Sequence, residues 1–142
     1  MSSKPSLLSL LHRANQLAEE RFTSAVGETQ VTARQLQVLA AIDAMPGASQ
    51  VDLTDTTSID RSTMADMIRR LLLRKLVQRR RSKQDARAYT ISLTNLGDAA
   101  LANGAPVLDS IEQSLLAVLS VQQRAEFQTM LAKIIAGGRP QG

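Results

Sequence analysis

Apolar residues in "SLLSLLHRANQLAEERF" return every three or four positions, at Leu7, Leu11, Ala14, Leu17 or Ala18, and Phe22. That period lines one side of a helix, and Pro5 and Ser6 are start signals, so the pattern predicts an amphipathic helix over 5–26. The same period recurs in "TARQLQVLAAIDAM", with Thr32 as N-cap, Leu36, Leu39 and Ala40 as the buried stripe, and Pro46-Gly47 as the stop. Residues 50–58, "QVDLTDTTS", are polar apart from Val51 and Leu53 and suit only a short third helix. After a turn, "IDRSTMADMIRRLLLRKL" predicts a fourth helix capped near Asp60, with Met64, Met67, Ile68 and Leu71 facing inward.

The period then drops to two. "LVQRRR" and "AYTISL" predict strands, the second alternating Tyr89, Ile91 and Leu93 against Ala88, Thr90 and Ser92, with "SKQDAR" as their hairpin loop. Helical spacing resumes from a Thr94 cap in "TNLGDAALANGAPVLDSIEQSLLAVL", where Pro106 is expected to kink or break the helix. "SVQQRAEFQTMLAKIIAGG" predicts the last helix, opened by a Ser120/Gln123 capping box and stopped by Gly137. Only "MSSKP" and "GGRPQG" read as frayed ends, and no repeat or long linker divides the chain, so 1–142 is one domain.

Helix, short helix, turn, helix and hairpin is the order of a winged helix-turn-helix. The expected class is therefore mostly α, a winged helix-turn-helix lobe over 32–93 with a two-stranded β-wing. The segments 5–26 and 94–136 remain as helices whose apolar stripes a small lobe cannot cover. Leu7, Leu11, Leu17, Leu108, Ile111, Leu115, Phe127, Leu131 and Ile134 are the candidate interface of a homodimer. Two recognition helices related by a two-fold axis would address duplex half-sites about one helical turn apart, hence a pseudo-palindromic operator.

Charge gives that architecture a target. The chain carries +4 overall, yet residues 61–87 alone hold ten Lys/Arg against two Asp, so the remainder is net acidic. A concentrated basic surface points to a polyanion. On the outer face of the fourth helix, Arg61, Ser62, Thr63, Asp66, Arg69 and Arg70 mix hydroxyls with guanidiniums, groups that bond to base edges and phosphates. In the hairpin, Arg79, Arg80 and Arg81 alternate faces, so they cannot all meet one backbone. Arg80, Lys83 and Arg87 are the candidate wing contacts, and Asp85, two residues before Arg87, is an acid inside a cationic loop that can pair with that arginine.

Composition removes the rival classes. At 142 residues and 44% hydrophobic, the chain suits one domain with its own core. It has no cysteine and a single histidine. With no glycine-rich phosphate loop and no clustered carboxylates either, no acid–base or nucleophile set is assembled, and neither catalysis, a metal nor a cofactor is expected. The apolar run before His12 and Arg13 is too short for a signal peptide or a membrane span, which implies a cytoplasmic protein without a membrane partner. The alternative function is a winged-helix module that binds protein without sequence-specific DNA recognition.

These stretches resemble the MarR-type regulators of bacteria and archaea. "TARQLQVLAAI" is similar to that family's second helix, "DRSTMADMIRRLLLRKLVQR" to its recognition helix and exit, and "RRRSKQDARAYTISLTNLGDAAL" to its wing and dimer-helix entry. The likeness spans roughly 32–101. It implies that Arg87 enters the minor groove with Asp85 as its orienting partner, and that the protein represses nearby genes. It further implies release by a small aromatic acid or phenol bound near the first helix, where His12 and Arg13 are the candidate contacts. The chain departs from the pattern at Lys75, where the family often has glycine, at Leu72 and Leu73, where it is usually polar, and in the polar third helix.

Overall fold

The computed structural model describes residues 3–26, 31–85 and 87–138; the outermost residues of both ends expected to fray lie outside these ranges. Among these described residues, six helices and one hairpin follow in the predicted order: α1 (Leu7–Val26), α2 (Ala33–Ala44), α3 (Gln50–Thr57), α4 (Arg61–Leu73), β1 (Val77–Arg81), β2 (Tyr89–Leu93), α5 (Asn95–Leu115) and α6 (Val121–Gly137). The fold is a winged helix-turn-helix flanked by N- and C-terminal helices.

Local chemistry sets the boundaries. Thr32 with Gln35, Ser49 with Asp52, and Ser120 with Gln123 each close a capping box, in which the hydroxyl accepts the third residue's N–H and that residue's side chain accepts the cap's N–H. α3 ends on Ser58 in the left-handed region (φ 58°), buried Ile59 plugs the turn, and Asp60 caps α4. The core beneath this turn is made by Leu36, Val38, Leu39, Leu53, Met64, Ile68, Leu71 and Ile91, all fully buried. Burying a side chain of this size stabilises by about 1.5–3 kcal/mol.

Three expectations are corrected. Ala40 is exposed and Val38 is buried in its place, because α2 touches α5 on one side and α3 and β2 on another, so its buried face is wider than one stripe. Pro106 does not break α5, which runs unbroken from Asn95 to Leu115. Only the one backbone bond that proline cannot donate is lost, while packing on α1 and α2 holds both halves in line. Gly137 is the last residue of α6, and Gly138 is the cap.

The wing is one antiparallel ladder that pairs Val77 with Leu93, Arg79 with Ile91, and Arg81 with Tyr89. Its other edge is held at the base, where the Ile91 N–H donates to the Ala48 carbonyl at 2.9 Å. The face shared by these residues is buried at Val77 and Ile91 and exposed at Arg79, Arg81 and Tyr89, so it changes from core to basic surface within five residues.

Where α4 leaves for β1 and β2 enters α5, four residues interlock. Lys75 takes φ 59° and Leu76 folds back, so that the Lys75 N–H meets the Leu72 carbonyl and the Leu76 N–H the Leu71 carbonyl, a Schellman close with lysine in glycine's usual place. Thr94 then binds this turn from the far side. Its N–H donates to the Leu76 carbonyl (3.1 Å), its hydroxyl donates to the Lys75 carbonyl (2.6 Å), and the same hydroxyl accepts the Gly97 N–H (3.1 Å). Gly97 lies so close that an added Cβ would stand 2.0 Å from the Leu76 carbonyl oxygen.

Two substitutions at this junction should have opposite signs. Gly97→Ala forces backbone apart and is expected to destabilise by about 1–3 kcal/mol, the range of overpacked buried sites. Lys75→Gly removes left-handed strain and is expected to stabilise by up to about 1 kcal/mol. Urea unfolding of both variants checks the pair; an unchanged midpoint for Gly97→Ala would contradict the close approach.

Candidate nucleic-acid interface

α4 carries its polar residues outward because Met64, Met67, Ile68 and Leu71 fix its inner face. Arg61, Ser62, Arg69 and Arg70 are exposed; Thr63 and Asp66 are half-buried on the same outer surface. Their hydrogen bonds divide them into two groups. At the helix start, the Asp60 carboxylate accepts the Thr63 N–H (2.8 Å), the Thr63 hydroxyl (2.7 Å) and the Ser62 hydroxyl (2.9 Å). Both hydroxyl protons therefore serve the cap, and what Ser62 and Thr63 present outward is acceptor lone pairs. One turn on, Asp66 pairs with Arg69 through Oδ1 and with Arg70 through Oδ2.

Those three donated bonds hold Asp60 ionised far into acid. Its pKa falls from the ordinary 3.8 to about 2, chiefly through the Thr63 N–H, then the Thr63 and Ser62 hydroxyls. Asp52, which caps α3 within the same motif, is lowered as well, by the Ser49 N–H first and the Ser49 hydroxyl second.

The wing adds the second basic element. The Arg79 guanidinium reaches Gln50 Oε1 at 3.5 Å and so ties the wing to the start of α3. Arg81 stands over the Tyr89 ring, 6.0 Å from its centroid. Arg80 lies on the other face, opposite Thr90, where it and Lys83 line an open groove of about 410 Å³ beside Pro46 and Gly47. The alternation expected of the three arginines is thus observed.

At the tip, the pairing of Asp85 with Arg87 takes a form that differs from the expected ion pair. Asp85 Oδ1 accepts the Arg87 backbone N–H at 3.0 Å, and among the described residues the two side chains form no ion pair. A carboxylate two residues before an N–H closes a small turn more readily than it folds back onto a long guanidinium. Ser82 Oγ accepts the Gln84 and Asp85 N–H groups, and the Ala88 N–H meets the Asp85 carbonyl. The loop is shaped from within, and the Arg87 side chain is exposed.

The other predicted residues separate. Leu7, Leu11, Leu17, Phe127 and Ile134 are exposed, Leu115 and Leu131 half-buried, while Leu108 and Ile111 pack on the chain's own core. α6 buries none of its residues. His12 and Arg13 are exposed on α1, and neither lines the cavity of about 220 Å³ where α1, α2 and α5 meet. That cavity is bounded by Phe22, Val26, Val31, Leu36, Ala100, Asn103 and Gly104. It escaped the sequence reading, although Gly104 inside a helix was a sign of close approach: a Cβ there would lie 2.4 Å from Leu36. Among the described residues no helix is long and apolar enough to cross a membrane, and no three His, Cys, Asp or Glu are grouped as metal ligands.

Comparison with known proteins agrees with this geometry. A model of the MarR family matches residues 29–88, a stretch that includes α2, α3, α4 and β1. The transcriptional regulator HosA of Escherichia coli is 31% identical over 105 residues, 74% of this chain and 78% of HosA. Among solved structures, Bordetella bronchiseptica BpsR, whose DNA binding is regulated by 6-hydroxynicotinic acid, superposes with a TM-score of 0.86 at 29% identity, covering 94% of this chain and 96% of that one. The transcriptional repressor CouR, solved on a 23-mer DNA duplex, gives 0.80 at 31% identity, covering 94% and 99%.

Asp60 predicts a specific acid response. Its folded pKa is depressed, so the stability it contributes is complete above the ordinary value near 3.8 and is lost as pH falls towards about 2. Asparagine caps as well as aspartate but does not titrate here. Asp60→Asn should therefore keep the parent's melting temperature near pH 7 and show a shallower fall between pH 4 and 2, read by thermal melts across that window. Parallel acid limbs in the two proteins would contradict the assignment.

Proposed function

The chain belongs to the MarR family of transcriptional regulators, and from that premise we propose that it is a homodimeric bacterial or archaeal repressor that binds a pseudo-palindromic duplex operator and is released by a small aromatic acid or phenol. The observation that carries this reading is that Arg61, Arg69 and Arg70 on α4, and Arg79, Arg80, Arg81, Lys83 and Arg87 on the wing that packs beside it, are all exposed. α4 enters the major groove, and the wing lies along the duplex with Arg87 over the minor groove, where narrow geometry concentrates negative potential. The protein acts in the cytoplasm, where its operator is.

The dimer follows from uncovered apolar surface. α1 exposes Leu7, Leu8, Leu10, Leu11 and Leu17, and α6 exposes Val121, Phe127, Met130, Ile134 and Ile135. A soluble monomer rarely leaves stripes of this length open to water. A second copy related by a two-fold axis covers both and fixes the separation of the two α4 helices. The effector, by this account, sits in the α1–α2–α5 cavity; His12 and Arg13, the contacts the family resemblance suggests, lie about 15 Å further along α1 by helical rise. Bound there, between the dimerisation helices and the lobe that carries α4, it shifts the lobe spacing only by the difference in its affinity for the two spacings.

The test begins with a duplex selected by the protein from a random library, titrated by fluorescence anisotropy between 50 and 200 mM salt, with sedimentation of the free and bound protein alongside. A dimer on the duplex and steep salt dependence are expected. Arg87→Ala should weaken binding by roughly 1–3 kcal/mol and lower the salt slope by about one phosphate contact per subunit. Lys83→Ala should do less, since a flexible ammonium at the tip loses more freedom for each contact. Asp85→Ala removes a negative charge and yet should also weaken binding, because the turn that aims Arg87 opens. Tighter binding by Asp85→Ala would refute the shaping role, and a salt-insensitive protein with no duplex preference would leave the protein-interaction reading in its place.

A further inference from the structure

Asp66 is an acid in the middle of a surface whose partner is a polyanion. It faces outward on α4, and its two carboxylate oxygens are divided between two arginines, Oδ1 with Arg69 Nη2 and Oδ2 with Arg70 Nε at 3.2 Å. The side chains of Arg69 and Arg70 are 71% and 66% exposed, so these pairs add little to stability. A carboxylate here also opposes every nearby phosphate, which lowers affinity for any duplex. Neither stability nor general DNA affinity accounts for it, and geometry supplies a third role.

The two arginines are held by different atoms. Arg70 meets the carboxylate through Nε, on the side of its guanidinium, a contact that does not use the Nη1 and Nη2 edge at the end of the side chain. That end-on pair of donors has the spacing to meet guanine O6 and N7 together in the major groove. Arg69 is gripped through Nη2 itself, so its own end-on edge is already engaged. The same carboxylate therefore frees one arginine for paired base contact and occupies the other. It does so while standing N-terminal to both, the favourable order for i,i+3 and i,i+4 pairs on a helix.

We infer that Asp66 is the specificity-determining residue of α4: it positions Arg70 to read a guanine edge in each half-site, and its charge penalises duplexes that offer only phosphate. The inference rests on the DNA-binding reading above and adds to it a base class, a reader and a positioning residue. Loss of the carboxylate lets both guanidiniums swing to the nearest phosphates, so affinity and discrimination should move in opposite directions.

The experiment compares the library-selected duplex with a scrambled duplex of the same composition, for the parent, Asp66→Asn, Arg70→Ala and the double variant, at two salt concentrations. Asp66→Asn is expected to bind the scrambled duplex several-fold more tightly and to lose about tenfold in the ratio of selected to scrambled affinity, the scale of one paired base contact. In the Arg70→Ala background the same substitution should leave that ratio unchanged, since there is no longer an arginine to position. Renewed library selection with Asp66→Asn should relax one G·C position in each half-site. Asp66→Ala, a strong helix former, gives the same readings should the asparagine variant fold poorly, with melting temperature as the control. A ratio that does not move, equal gains on both duplexes, or the same loss with and without Arg70 would each overturn the inference while leaving the DNA-binding reading intact. A parent that does not prefer its selected duplex would overturn that reading and this inference with it.

Discussion

The rest of the molecule depends on one hydroxyl. Thr94 Oγ1 donates to the Lys75 carbonyl and accepts the Gly97 N–H, while the Thr94 backbone N–H holds the Leu76 carbonyl. Through these bonds the exit of α4, the base of the wing and the first turn of α5 share one joint. Their relative orientation is set there, since α4 and the wing are the elements proposed to meet DNA and α5 leads away to the outer helices. A left-handed lysine and a glycine without room for a methyl group are the consequences of bringing three elements so close.

Division of labour follows from where charge is placed. The core is apolar, with no buried polar or charged side chain among the described residues, so packing holds the lobe and leaves the charged groups available. Carboxylates then act on neighbours along the chain. Asp60 fixes the start of α4, Asp66 ties two arginines on its face, and Asp85 bends the wing tip. Each stands within four residues of the groups it holds, and each lies in or beside the basic segment. The acids within this surface shape it and give it direction, at some loss of positive charge.

Much of this was legible in the sequence, for physical reasons that differ by element. Residues with a 3.6 or 2.0 period announced the helices and the hairpin, and Thr32, Asp60, Thr94 and Ser120 announced their caps because capping is a local bond. What was not legible depends on contacts distant in sequence. Val38 is buried because α5, α3 and β2 converge on α2, and Pro106 is tolerated because neighbouring helices brace α5. Asp85 holds a backbone N–H in place of a guanidinium, a choice between two local bonds that spacing alone does not decide. Lys75 was visible as a departure from the family's glycine; only the Schellman close shows that the backbone keeps glycine's conformation.

The central claim is that α4 and the wing together form one duplex-binding face, carried by the Thr94 joint. Amide hydrogen exchange of the protein, free and saturated with its selected duplex, tests it most directly because it reports contact and ordering along the whole backbone. The account predicts slower exchange on binding in two segments, 61–70 and 79–87, with residues 94–97 slow in both states. Protection confined to α1 and α6, or a wing that exchanges equally fast with and without the duplex, would contradict it.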